Sequence, residues 1–227
     1  EDLLAMFARE LDVTKSTEKK IALMFRTAGV LAEHVSDDRR AAEVYHQILG
    51  LRADSLPAIR ALEDIYARTR DWERFADILA RESSILTDPK EKADTLLRVG
   101  LVCEEHLDRA DRAAEAYQEV LRLGHHFEAV IHALVRIYSR EGMWNALGKS
   151  LKTAYEHAKD APTRAAILLR LAEVAGDRFG NLDAAAEHLE DAAKHDPANV
   201  TVLTQLERIS VARRDWTRVI SVSELLA

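Results

Sequence analysis

The sequence predicts an all-α protein of repeated helical hairpins, and three observations predict it. Its only three tryptophans, Trp72, Trp144 and Trp216, stand 72 residues apart, and two of them follow an Arg-Asp pair, as Arg70-Asp71-Trp72 and Arg214-Asp215-Trp216. Such a ruler means that one structural unit recurs without insertion or deletion. With 8 Gly and 4 Pro against 31% charged residues, the turn-dense pattern of an all-β chain has little room, while Ala, Leu, Glu and Arg, all good helix formers, dominate. Finally, apolar residues recur at spacings of three and four along the chain.

Taken in order, residues 1–16 read as the tail of a preceding repeat, because EDLLAMFARE matches the ERFADILARE that follows Trp72. From Thr17 a first helix carries Ile21, Met24, Phe25, Ala28, Leu31 and Val35 on one face. Its copies are Ala93, Leu96, Leu97, Gly100, Cys103, Leu107 and then Ala165, Leu168, Leu169, Ala172, Ala175, Phe179. The small residues Ala28, Gly100 and Ala172 allow the next helix to approach closely. Cys103 occupies a core slot.

A second helix holds Ala41, Ala42, Tyr45, Leu49, matched by Ala113, Ala114, Tyr117, Leu121 and by Ala185, Ala186, Leu189, Ala193. Asp37 or Asp38, Asp111 and Asn181 stand where a cap is needed. A third helix, with Pro57 in its first turn, carries Ala58, Leu62, Ile65, Tyr66, then Val130, Leu134, Ile137, Tyr138, then Val202, Leu206, Ile209, with Ser210 in the last aromatic slot. The fourth begins at the tryptophan. Asp88 and Glu91 have the spacing of a capping box. The expected organisation is a single solenoid over 1–227, cut from a longer array, with double-hairpin units at 17–88, 89–160 and 161–227, the last incomplete.

Composition bounds the function. A chain of 227 residues with 48% hydrophobic content and net charge −7 has enough apolar material for a core and is poorly suited to polyphosphate partners. One cysteine excludes an intramolecular disulfide and leans towards a reducing compartment such as the cytoplasm. No membrane-length apolar run and no leader is present, although the chain opens at Glu1 without an initiating Met, so a targeting segment removed upstream stays open.

Two hairpins per 72 residues is about 36 per hairpin, and here the chain resembles the tetratricopeptide repeat family, whose unit is about 34 residues. The resemblance rests on Leu97-Gly100-Cys103 followed by Ala113-Tyr117-Val120, on Leu189-Ala192 leading to Asp196-Pro197, and on Leu62, Tyr66, Asp71-Trp72 and Leu79 with Leu134, Tyr138, Trp144 and Leu151. It implies a right-handed α-α superhelix whose inner wall is lined by the first helix of each hairpin. The chain departs from the family pattern at Glu63, Val135 and Glu207, where a small residue is usual, at Phe75, Leu147 and Val219 on the second helix, and by one extra residue in the turn around His106 to Ala110.

Placed on that wall, Asp64, Arg136 and Arg208 share one slot, with Arg60, His132 and Thr204 a turn before them. These six are the candidate partner-binding residues. The arginines suit an acidic peptide or phosphate, or else pair with acids of the chain itself. Arg26, Arg98 and Arg170 recur in register with Glu43, Glu115 and Glu187, which suggests structural bridges. The Lys and Asn of the family's carboxylate clamps are missing. His125, His126 and His132 lack metal-ligand spacing, and no phosphate loop or nucleophile elbow occurs, so neither cofactor, metal nor catalysis is expected. The expected function is a non-catalytic scaffold for a protein or peptide. Single-stranded RNA binding and a regulatory module of a larger protein are the alternatives, and the cut ends suggest end-to-end self-association.

Overall fold

The structure, a computed structural model, describes residues 2–226. Among them there is no strand, and the chain is all-α. Helices follow one another through short connections: α1 (Asp2–Val13), α2 (Thr17–Val30), α3 (Asp38–Leu51), α4 (Leu56–Thr69), α5 (Trp72–Ile85), α6 (Pro89–Glu105), α7 (Ala110–Arg122), α8 (Phe127–Arg140), α9 (Trp144–His157), α10 (Ala161–Glu173), α11 (Leu182–His195), α12 (Val200–Arg213) and α13 (Trp216–Leu226). Helices begin at 17, 89 and 161, at 38, 110 and 182, and at 72, 144 and 216, so the spacing of the indoles is the spacing of the elements.

Packing divides the chain into two compact units, Glu1–Ala113 and Ala114–Ala227, the boundary falling inside α7. In the first, α1 to α5 each pack on the next helix in the chain; in the second, α8 to α12 do the same. Connections this short reverse the chain at each turn, so consecutive helices form antiparallel hairpins stacked on their neighbours. The hairpins agree with the tetratricopeptide pattern.

Burial repeats with the same period. Ala41, Ala113 and Ala185 are fully covered, as are Ala58, Val130 and Val202, and Leu62, Leu134 and Leu206 fill the matching core slot. Cys103 is fully buried, and burial pushes its thiol above the ordinary value, so it packs as a small apolar group.

The turns also repeat. Ser36, Asp108 and Gly180 adopt positive φ after the first helix of their hairpins, and Arg70, Gly142 and Arg214 do so before the tryptophan turn. Each closes its helix with a long amide bond: Asp37, Arg109 and Asn181 donate to Leu31, Cys103 and Ala175 at 2.8–2.9 Å, while Asp71, Met143 and Asp215 donate to Tyr66, Tyr138 and Ser210 at 2.8–3.0 Å. A left-handed residue is what lets those amides turn back onto the last carbonyls. Only two of these six positions are glycine, and the others bear a steric cost there.

The structure corrects three local expectations. The extra residue of the odd hairpins is absorbed in two copies as a π-turn, at Leu31–Val35 and Val174–Arg178, which widens the end of α2 and α10 and lengthens no loop. Asp111 lies inside the first turn of α7 and not ahead of it, yet its carboxylate still accepts from the backbone amide of Arg112, while Asp37 and Asn181 cap from outside, accepting from the amides of Arg40 and Ala184 at 3.0 Å. Arg98 bonds Glu63 at 2.9 Å, Arg170 bonds Glu173 at 2.7 Å and Arg26 lies over the Phe7 ring. These contacts stand in place of the expected bridges to Glu115, Glu187 and Glu43: Arg98 and Arg170 meet acids on first helices, and Arg26 meets a ring of α1.

Two of the three indoles keep like company. The His106 ring stacks on Trp72 with centroids 4.0 Å apart, and the Arg178 guanidinium lies 4.2 Å from the centre of Trp144, each partner coming from the same place one period apart. Trp216 is 60% exposed.

Candidate functional site

Three clefts lie against the first helices of the hairpins, and another, of about 530 Å³, is lined by α3, α4 and the start of α5. In the first unit a cleft of about 470 Å³ runs between α4 and α6, floored by Glu82 of α5. Glu63 enters it because it follows Leu62 on the covered side of α4 and so points into the helix junction and not outwards. Both Glu63 and Glu82 are more than nine-tenths buried. Glu63 Oε2 accepts from Arg98 Nη2 at 2.9 Å; Glu82 accepts from Arg60 Nε at 3.3 Å and from the Thr95 hydroxyl at 3.5 Å. The other Glu63 oxygen, Oε1, is buried with no donor in reach.

Burial of the Glu63 carboxylate beside a second buried carboxyl makes its charged form costly. Burial, foremost, pushes the Glu63 carboxyl up to about 7, the Glu82 carboxyl adds to the rise, and Arg98 opposes it. Asp64, Glu91 and Asp94 complete the rim, leaving five carboxyl groups facing two guanidinium groups.

One period on, in the second unit, the equivalent cleft has a volume of about 310 Å³ and different chemistry. His132, Thr163, Ala166 and Ile167 stand where the first unit has Arg60, Glu91, Asp94 and Thr95, and Val135 replaces Glu63. The same backbone junction is therefore acidic in one unit and mainly apolar in the other.

A further cleft of about 380 Å³ in the second unit is lined by α8, α9, α10 with its π-turn, and α12. Here Arg170 pairs with Glu173, and Arg208 bonds Asp177 at 3.0 Å and Gln205 at 2.8 Å. Arg178, flat on Trp144, supplies a third guanidinium against two carboxylates. Its charge balance is opposite to that of the acidic cleft.

Of the six residues singled out by sequence, Arg60 and Asp64 line the acidic cleft, His132 the mainly apolar one and Arg208 the arginine-rich one. Arg136 and Thr204 are exposed on α8 and α12. The arginines of the expected ladder are engaged within the chain: Arg60 with Glu82 and Arg208 with Asp177. Sequence reasoning missed Glu82 and assigned Glu63 no role. The available signal was the departure at position 63 from a small residue, since a carboxylate on a buried helix face needs a partner.

No family model matches the chain, and no curated protein matches it. Among solved structures it is similar to YrrB, described as a TPR protein with an unusual peptide-binding site, at 16% identity over 88% of this chain and 96% of that one, TM-score 0.39. It is similar also to yeast Tom70, at 15% identity over 90% of this chain and 42% of that one, TM-score 0.46. The TPR2AB domain of yeast Sti1, solved as a complex with pHSP90, is 14% identical over 92% of this chain and 90% of that one, TM-score 0.34. With TM-scores below 0.5, these likenesses bear no functional weight.

Proposed function

We propose that the chain is a non-catalytic protein-interaction scaffold that binds an extended peptide or a partner helix along the grooves beside the first helices of its hairpins. The observation that carries this is the repeated junction itself: one backbone geometry recurs one period on, yet its lining is acidic in the first unit and mainly apolar in the second, so each copy suits a different side chain of a partner. Arg60, Asp64, His132, Arg136, Thr204 and Arg208 are the residues proposed to meet it, Arg208 and Arg136 towards acidic groups. Net charge −7 favours a protein over a nucleic acid.

Site-specific photocrosslinking tests the proposal. A benzophenone side chain placed at His132 or Thr204, on the first helices, should trap protein adducts in cells, whereas the same group at the exposed Glu187 of a second helix should not. Equal labelling from both sets, or no adduct from the first, would count against it.

A further inference from the structure

The arginine-rich cleft of the second unit holds one charge that its own side chains leave unbalanced. Three arginines line it against two carboxylates, beside the apolar side chains of Val135, Leu147 and Val174. Arg170 is bound to Glu173 at 2.7 Å and Arg208 to Asp177 at 3.0 Å. Arg178 has no such acid: among the described residues its contact is the Trp144 ring, whose centre lies 4.2 Å from the guanidinium carbon. Stacking occupies a face of the guanidinium and leaves its N–H edge open to a planar anion. One period earlier, in the first unit, His106 stacks on Trp72 in the same way. Covering the indole therefore needs only a flat side chain, and the permanent charge at position 178 goes beyond what packing asks.

We propose that this cleft is a binding subsite for a side-chain carboxylate, an aspartate or glutamate of the bound peptide, which accepts from the N–H edge of Arg178 with Arg170 and Arg208 beside it. The lining carries a single excess positive charge, three guanidinium groups against two carboxylates, and one carboxylate matches it. A dianionic phosphate would meet the repulsion of Glu173 and Asp177 as well. Arg170 also lines the mainly apolar cleft, with Ile131, Ala166 and Leu169, so the two clefts adjoin. Their linings are centred about seven residues apart along α8, which at 1.5 Å per residue is roughly 10 Å, the span of about three residues of extended chain. The ligand so defined carries an apolar side chain and, three residues from it, a carboxylate. The subsite rests on the peptide-scaffold reading and names the chemistry of two residues of its ligand.

The test uses the peptide acetyl-Glu-Gly-Ser-Leu-Ser-Gly-Glu-amide, which offers a carboxylate three residues from leucine in either chain direction, and a twin with glutamine in place of both glutamates, the same shape without the charge. Each is titrated into the full chain labelled with ¹⁵N. The glutamate peptide should shift the indole N–H of Trp144 and the amides around 173–178 saturably, and the glutamine peptide should not. The variant R178Q, at an exposed position and checked for fold by circular dichroism, should weaken binding by about tenfold. R52Q removes the same charge from an exposed position of the first unit and should leave binding unchanged. Absence of saturable shifts, equal response to the glutamine peptide, undiminished binding by R178Q, or an equal loss in R52Q would overturn the subsite. Tighter binding by a twin carrying phosphoserine in place of glutamate, or the same shifts from inorganic phosphate alone, would overturn the carboxylate as its ligand. Failure here with adducts still formed at His132 and Thr204 would remove the subsite and leave the scaffold standing; the converse would remove the scaffold.

Discussion

Replacing Glu63 by Gln should abolish a pH dependence of stability that runs opposite to the usual carboxylate pattern. The folded protein holds the Glu63 proton more tightly than the unfolded chain, its pKa rising from an ordinary 4.5 to about 7. The protonated form is therefore the one the fold favours. Stability from this group is fully present below the unfolded value and is lost as pH rises through about 7. At about 1.4 kcal/mol per unit the whole displacement amounts to about 3 kcal/mol, of which about 2–3 kcal/mol falls between about pH 5 and pH 8. The carboxamide of the E63Q variant does not titrate, so its stability lacks this slope. Urea denaturation followed by circular dichroism, at fixed ionic strength across that range, gives the difference between wild type and E63Q. E63Q should gain on the wild type by about 2 kcal/mol as pH rises. Parallel curves would show that Glu63 is ionised in the fold at neutral pH, and the raised Glu63 carboxyl would be refuted.

The remaining predictions concern the repeat. Leu62→Ala, Leu134→Ala and Leu206→Ala probe one slot, whose leucines are all at most 1% exposed, and each should cost about 2–5 kcal/mol in urea denaturation; a near-neutral result at any of them would break the equivalence of the copies. Trp72→Ala should destabilise by at least about 2 kcal/mol more than Trp216→Ala, because Trp72 is stacked on His106 while Trp216 is 60% exposed; thermal melts decide. Ser210→Ala should be neutral or stabilising by about 1 kcal/mol, since the Ser210 hydroxyl is buried without a partner, whereas Tyr66 and Tyr138 in the same slot bond His46 and Gln118.

Helix count, period and core were legible in the residues because they follow from local chemistry. The 3.6-residue stripe that puts Leu62, Leu134 and Leu206 on one face is a property of the helix, and the stripe cannot be buried except against the next hairpin. Asp37, Asp71, Asn181 and Asp215 cap helices because short polar side chains reach their own amides. The cleft was less legible. Arg60, Asp64, His132 and Arg208 were found because exposed positions repeat as surely as buried ones, but what each meets is a matter of rotamers and of helices distant in sequence. Arg98 was expected to pair with Glu115 and instead reaches Glu63, 35 residues away.

What the sequence determined by itself is the repeating element: four helices in 72 residues, with their apolar faces, caps and reversals, each fixed by interactions spanning a turn or two. What only tertiary structure decided is the company kept by charge. Whether an arginine bonds a groove acid or its own helix, and how far the Glu63 carboxyl is raised, depends on distances set when α4, α5 and α6 pack together. Coulomb and desolvation energies are steep functions of those distances and of burial, whereas helix propensity and periodicity hardly depend on them.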